Sequence, residues 1–467
     1  MSRRLKVSDQ IPGVSCLTRL TNASRRLFEK WSDHLGSERA NIIRNTNKIV
    51  CFDGDIEKPL LGLKDTEVAI IKEHVQIIIH SASSINLRAP LAKLISPIIN
   101  ASLSVAMLAR ECSKFERFVY ISSAFSNAHC HDPSGTPSAE ISETLHTLKD
   151  GSLTLETAET EYETILQFGD LDQSFESHFP WAYGYAKHLT ERLLTRLFDN
   201  HPQRLLIVRP SIIGPAQSYP FPGYEVPGSA PLTMVAAAML FDPAIKVNFN
   251  SSYTEPMACS HHDEVPVDVV VSRLIMHLVY GAYGIIHAVA GRNMRFSSAH
   301  IWQEIMSQRL LPWSVRVAWS NVHWDTNNMH PVARTFAVFG TSYIFGDDRT
   351  QELWKGLSNE ERLIWPLFSH RAKMELSTRR PALKANLEIV LRKQGWPRRL
   401  VAFVCKRLDN SAQDNKKNPQ SQTHTTCKPS TGLNPDITPT AKQTLISPSD
   451  YKKAAKVSIV TVLESEL

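Results

Sequence analysis

Three almost uninterrupted apolar runs, at residues 76–80, 117–122 and 204–208, constrain the fold of this chain more than any other feature. A strand that alternates apolar and polar residues buries one face. A strand that is apolar throughout is buried on both, which is the situation in a parallel sheet with helices on each side. With shorter β-branched runs, the strand candidates are 14–17, 48–51, 76–80, 117–122, 204–209 and 284–288. Helical patterns at 23–36, 90–112 and 185–200 fall between them.

Strands that alternate with helices predict βαβ units, so residues 1–291 are expected to form an α/β domain, a doubly wound parallel sheet of Rossmann-like type. Residues 292–408 carry seven of the nine Trp and read as a smaller helical region that covers a substrate. Within it, residues 381–395 predict an amphipathic helix. Leu383, Leu387, Val390 and Leu391 share one face, and Gly395 with Pro397 supplies the stop. Residues 409–467 are rich in Ser, Thr, Asn, Gln, Lys and Pro over most of their length and are expected to be a disordered tail.

Charge is unevenly placed. The net +6 resides in residues 371–407, where eleven Lys/Arg face two Glu, while residues 126–180 carry eleven Asp/Glu and one Lys. Basicity confined to one stretch, with no aromatic-basic signature, argues against a nucleic-acid partner. The acidic insert is expected to repel the phosphates of coenzyme A. Seven scattered Cys without ligand spacing argue against a metal site and for a reducing, intracellular setting, cytoplasmic or peripheral on an organelle membrane. The greasy stretch 265–290 is broken by Asp268, Arg273, His277 and His287, so no membrane span is expected. For residues 381–408, packing on the core is the first expectation and peripheral contact with an anionic bilayer the second. Oligomeric state is not legible.

The chemistry concentrates in one succession. A buried strand ends in Ser122-Ser123-Ala124, Tyr183-Gly-Tyr-Ala-Lys187 then opens a helix, and a second buried strand closes in Arg209-Pro-Ser-Ile-Ile-Gly214. Residues i and i+4 lie on one helical face. A Lys one turn from a Tyr is expected to lower the phenol pKa from about 10, and a Ser at a strand end can hold a carbonyl. Together they form a proton-delivery site beside a hydride donor. Tyr185 lacks the partner, since its position +4 is Leu189.

That order resembles the extended short-chain dehydrogenase/reductases and, more closely, the fatty acyl-CoA reductases with their male sterility-type NAD-binding domain. The resemblance covers residues 14–291. It is carried by Cys16-Leu-Thr-Arg19, Phe52-Asp-Gly-Asp-Ile56, Leu61-Gly-Leu63, Ile79-His-Ser-Ala-Ser83, Asn100, Phe118-Val-Tyr-Ile-Ser-Ser-Ala124, Leu205-Leu-Ile-Val-Arg-Pro-Ser211 and Asp263-Glu-Val-Pro-Val-Asp-Val-Val270. It implies Ser123, Tyr183 and Lys187 as the catalytic group, with Lys187 also on the nicotinamide ribose and Tyr183 beside it. It implies Asp55 and Ile56 at the adenine, Ser81, Ala82 and Ser83 along the pyrophosphate and ribose, Asn100 near the cofactor, and Pro210 to Ile213, with Ile212, at the nicotinamide. Arg19 would pair with a 2′-phosphate and so select NADPH. Read without the resemblance, Asp55 is as readily a turn residue, Arg19 a surface arginine, Asn100 a bond to backbone and His80 a core histidine.

One signature is missing. The family opens with a strand and a G-x-x-G-x-x-G turn that lays the pyrophosphate on a helix N-terminus, and no such spacing occurs here. The first βα unit, about 30 residues for such a motif, is expected to be lacking, together with a central strand. Two explanations stay open: an incomplete reading of the gene, or a degenerate non-catalytic protein. As written, the chain is expected to bind NADPH poorly if at all. The implied activity is NADPH-dependent reduction of acyl thioesters, long-chain fatty acyl-CoA to aldehyde or alcohol. The proline-rich loop 220–228 is expected to shape the acyl pocket. The same trio would serve a carrier-bound thioester, a sugar or a sterol, so the chemistry alone does not choose.

Overall fold

Strands apolar on both faces can only be satisfied inside a sheet, and the three read from the sequence lie side by side in a seven-stranded sheet in the computed structural model. It describes residues 14–18, 23–46, 49–131, 140–148, 150–169, 178–320, 329–370, 374–417 and 459–462. Among these, the first strands are β1 (Val14–Thr18), β2 (Ile49–Asp53), β3 (Ile77–His80), β4 (Arg117–Ile121), β5 (Leu205–Pro210), β6 (Ile212–Gly214) and β7 (Lys246–Asn250). They are followed by β8 (His261–His262), β9 (Glu264–Pro266), β10 (Gly284–Ala288), β11 (Phe296–Ser297), β12 (Arg316–Ser320) and β13 (Ile459–Val462).

The central sheet has the order β10-β5-β4-β3-β13-β1-β2, and every neighbouring pair is parallel. Pairs β6–β9, β7–β12 and β8–β11 lie outside it. Helices α1 (Ala23–Leu35), α2 (Ser37–Asn45), α3 (Asp65–His74), α4 (Leu91–Leu94), α5 (Ala101–Arg110), α6 (Ala158–Phe168), α7 (Ala182–Leu197) and α8 (Pro231–Leu240) follow in chain order. The helix expected over 90–112 is present but interrupted. Pro97 has no N–H to donate backward, and residues Ile95–Asn100 between α4 and α5 widen into a π-turn. Leu91–Arg110 is apolar and long enough to cross a bilayer, yet its most apolar window is 61% buried inside the molecule.

The expected division at residue 291 does not divide the core. One hydrophobic cluster runs from Leu91 and Ile98 through Tyr185, Leu232 and Phe249 to Phe339, Leu387 and Leu408. A fully buried ion pair ties the two regions: Arg379 donates to Glu264 at 2.8 and 2.5 Å. The close approach requires Gly214, where a Cβ would stand 2.5 Å from the Glu264 Cδ. The segment weighed for bilayer contact packs one face inward, with Val401, Val404, Cys405 and Leu408 buried while Leu400 and Phe403 stay exposed.

Two corrections concern the ends. Inside the expected tail, residues 409–417 continue the helix Arg398–Lys417, and 459–462 form β13; the rest of it lies outside the described residues. The central position expected to be empty is occupied, because β13 pairs with β1 on one side and β3 on the other.

Candidate active site

In a parallel sheet every carboxyl end points to one edge. Ser122 and Ser123 follow β4, Ser81 to Ser83 follow β3, Asp55 lies just past β2, and Pro210 ends β5. Strand direction alone therefore places these residues along one edge of the sheet, the edge at which α/β sheets bind ligands.

At β4 the chain turns sharply. Ser123 is extended and caps a 3₁₀ turn, its hydroxyl accepting the Phe125 N–H at 3.2 Å. Tyr183 and Lys187 stand one turn apart at the start of α7. The Lys187 ammonium, 2% exposed, donates to the Ile121 carbonyl at 3.1 Å. It lies 5.8 Å from the Tyr183 ring and 4.9 Å from the Tyr120 ring. The structure thus brings Ser123, Tyr183 and Lys187 to one place. Tyr185 turns away and donates to Glu161 at 2.8 Å.

The phenol differs from the sequence expectation. Burial pushes the Tyr183 pKa above its ordinary value, and the Ser123 hydroxyl only draws it part of the way back. Lys187, committed to a backbone carbonyl, does not overcome this. A phenol held protonated near neutral pH is suited to donating a proton.

The remaining residues separate into two groups. Ile56, Ala82 and Ile212 are buried among core side chains. Asp55 shapes its loop, accepting the Glu57 N–H at 3.1 Å and donating its own N–H to the Leu61 carbonyl at 2.7 Å. The facing residues Leu60, Leu61 and Gly62 all have positive φ, a conformation that costs a leucine about 1–2 kcal/mol. Ser81 and Ser83 keep partial exposure. Asn100 accepts the Tyr162 phenol at 2.7 Å and belongs to the packing of α6, not to the catalytic trio. Arg19 lies outside the described residues. His80 is a core histidine as read, bonded through Nε2 to Ser102 at 3.1 Å, and burial with the nearby Lys187 lowers its pKa to about 3.

Sequence reading missed the layer behind the trio. Glu191, one turn beyond Lys187 on α7, is fully buried and accepts Ser122 at 2.5 Å and Ser126 at 3.1 Å. Arg209, also fully buried, donates to the same carboxylate at 2.9 and 2.5 Å. The i, i+4 spacing from Lys187 was the available signal. The Asp263–Val270 signature is likewise structural. Asp263 accepts the Ser211 hydroxyl and the Ala290 N–H, and Asp268 accepts three successive N–H groups from 217–219 at 3.0, 2.8 and 3.0 Å. Two carboxylates of the acidic insert are spent on ion pairs, Glu161 with Arg192 at 2.6 Å and Glu159 with Arg196 at 2.9 Å, and do not add to its expected repulsion of phosphates.

A doubly wound sheet with Ser at the end of one strand, and Tyr and Lys one turn apart on the helix that leads into the next strand of the sheet, is the scaffold of the extended short-chain dehydrogenase/reductases. Residues 3–274, more than half of the chain, match the NAD-binding family described as Male sterility protein, and the chain belongs to that family. It is 23% identical over 237 residues to a Drosophila melanogaster protein described as a putative fatty acyl-CoA reductase, covering 49% of this chain and 41% of that one. It is 27% identical over 264 residues to fatty acyl-CoA reductase 2 of Mus musculus, covering 56% and 47%. The chain therefore spans about half the length of these relatives or less. The solved terminal R domain from the myxalamid PKS-NRPS pathway shares the fold, with a TM-score of 0.50 at 15% identity, covering 84% of this chain and 93% of that one. The family makes the cofactor a nicotinamide dinucleotide, and the groups present suit one: hydroxyl, phenol and ammonium together at Ser123, Tyr183 and Lys187, serine hydroxyls along the edge, and the Asp55 carboxylate as an acceptor for sugar hydroxyls.

Proposed function

We propose that this chain reduces acyl thioesters with NADPH, its substrate a long-chain fatty acyl-CoA. The observation that supports this is the convergence of Ser123, Tyr183 and Lys187 at the carboxyl edge of the sheet in a chain of this family. Bound NADPH supplies the hydride. Ser123 accepts a hydrogen bond from the Phe125 N–H and can still donate its own proton to the thioester carbonyl oxygen. Tyr183, kept protonated by burial, gives its proton to that oxygen as negative charge develops on it. The tetrahedral product, a hemithioacetal, returns its hydroxyl proton to the Tyr183 phenolate and collapses with loss of thiolate to the aldehyde. Lys187 places its ammonium beside the phenol, where it balances the phenolate left behind, and it would hold the nicotinamide ribose, as the resemblance implies. The choice of NADPH over NADH rests on Arg19, by resemblance.

The test is oxidation of NADPH by the purified chain with palmitoyl-CoA, palmitoyl-pantetheine and a UDP-sugar offered in parallel. The proposal expects turnover with palmitoyl-CoA and at least tenfold preference for NADPH over NADH. Turnover with the sugar alone, or equal use of NADH, would overturn it.

A further inference from the structure

The central position of the sheet is filled from the far end of the chain. A doubly wound sheet with order 3-2-1-4-5-6 binds its dinucleotide across the crevice beside strand 1, where the order reverses. Here β2, β1, β3, β4 and β5 occupy the places of strands 3, 2, 4, 5 and 6. The place of strand 1 is held by Ile459–Val462. The register is continuous on both sides: Ile459 stands opposite Val14 and Ile77, and Val462 opposite Leu17 and His80.

Neighbouring strands lie about 4.8 Å apart, so withdrawing β13 would leave β1 and β3 roughly 10 Å apart. Each would then carry a row of unpaired backbone groups in the middle of the molecule, which is costly. If β1 instead slid across to pair with β3, the crevice between their carboxyl ends would close. β13 is therefore both a pairing partner and a spacer. It sets the separation between the Ser81–Ser83 side of the crevice and the loop around Asp55 that lies beyond β1 and β2.

We propose that residues 459–462 complete the dinucleotide-binding site of this chain in cis, so that docking of β13 and binding of NADP(H) are one coupled equilibrium. Coupling is reciprocal by thermodynamic necessity: a docked strand raises dinucleotide affinity, and bound dinucleotide holds the strand in place. The 41 residues between Lys417 and Ile459 make docking intramolecular, and a tether of that kind supplies an effective concentration of order millimolar. The proposal rests on the nicotinamide part of the preceding reading and not on the thioester.

The experiment compares the full chain, a chain ending at Ala454 and the Val460→Pro variant, which loses a ladder donor in a strand paired on both sides. NADPH affinity is read by calorimetry and backbone protection by amide hydrogen exchange, with the peptide of residues 455–463 added in trans. The full chain is expected to bind NADPH, and NADPH to slow exchange in 459–462, 14–18 and 77–80 together. Both variants are expected to lose at least tenfold in affinity and to expose β1 and β3, and the peptide to restore binding to the shortened chain. Should the shortened chain be insoluble, Val460→Pro and the exchange data on the full chain carry the test. Affinity within twofold across the three chains would overturn the proposal. So would exchange at 459–462 that is fast with and without NADPH, absence of NADPH binding by the full chain, or dimerisation that appears only with the strand present, which would mean that a second copy donates it. A full chain that binds NADPH and leaves palmitoyl-CoA untouched would overturn the preceding reading alone.

Discussion

Ser123 owes its position to residues that never meet a substrate. Glu191 accepts the hydroxyls of Ser122 and Ser126, on either side of it, while Lys187 on the same helix face donates to the Ile121 carbonyl. Helix α7 thus grips the end of β4 at two levels, and Arg209 neutralises the carboxylate that makes one grip. Glu191→Gln is expected to lower kcat about tenfold with KM within twofold, because the serine loosens but the substrate surface remains. Leaving the Arg209 charge buried and unpaired should also cost about 3–5 kcal/mol of stability. Adding Arg209→Met should return much of the stability and none of the rate. Recovery of both together would mean that the pair only holds the fold. The trio itself was legible, because an i, i+4 spacing after a buried strand fixes its geometry. The Glu191 layer was less so, since a Glu on a helix reads as solvated until the tertiary packing covers it.

At the scale of elements, legibility followed locality. The strand 284–288 was read to the residue, and β3, β4 and β5 within one, because continuous apolar runs leave no other buried solution. The π-turn at 95–100 follows from Pro97 and was readable in principle. β13 was not: four β-formers beyond a polar stretch carry no local sign of the strands they pair with. The proline-rich loop shows the same dependence on distant groups. Asp268 takes three N–H groups from 217–219, Arg39 donates to the Pro220 carbonyl at 3.3 Å, and Asn386 bonds both the Gly228 N–H and Glu225 at 2.8 Å. Replacing Asp268 with Ala releases donors bound to a charged acceptor and should cost about 1.5–3 kcal/mol. If the loop borders the acyl pocket, KM for palmitoyl-CoA should rise several-fold while NADPH affinity stays constant. A variant with unchanged melting temperature and KM would remove the loop from the account.

The molecule as a whole is expected to be acid-labile. Burial lowers the pKa of His80, His262 and His287 to about 3 and of His129 and His277 to about 4, and holds His188 well below the ordinary range. A folded-state pKa below the unfolded value of about 6.5 means that the unfolded chain binds more protons, so stability is full above pH 6.5 and is lost as pH falls toward the folded values. Six such rings cost together about 8 kcal/mol per pH unit once well below 6.5, against a usual total of about 5–15 kcal/mol. Glu143, Glu225 and Asp263, their pKa values raised first of all by burial, take up protons in the folded state above the ordinary carboxylate range and so oppose part of the loss. Unfolding is therefore expected near pH 5, read as a collapse of the melting temperature between pH 6.5 and 5. A melting temperature flat to pH 4 would show that these histidines are accessible.

The central claim is that a phenol at position 183 delivers the proton that completes thioester reduction. Its most direct measurement is Tyr183→Phe assayed for NADPH oxidation with palmitoyl-CoA and, separately, for NADPH binding. A fall in turnover of about 100-fold or more with binding within threefold is the predicted result, the scale of a lost general acid. Turnover in the variant equal to that of the unaltered chain would contradict the account.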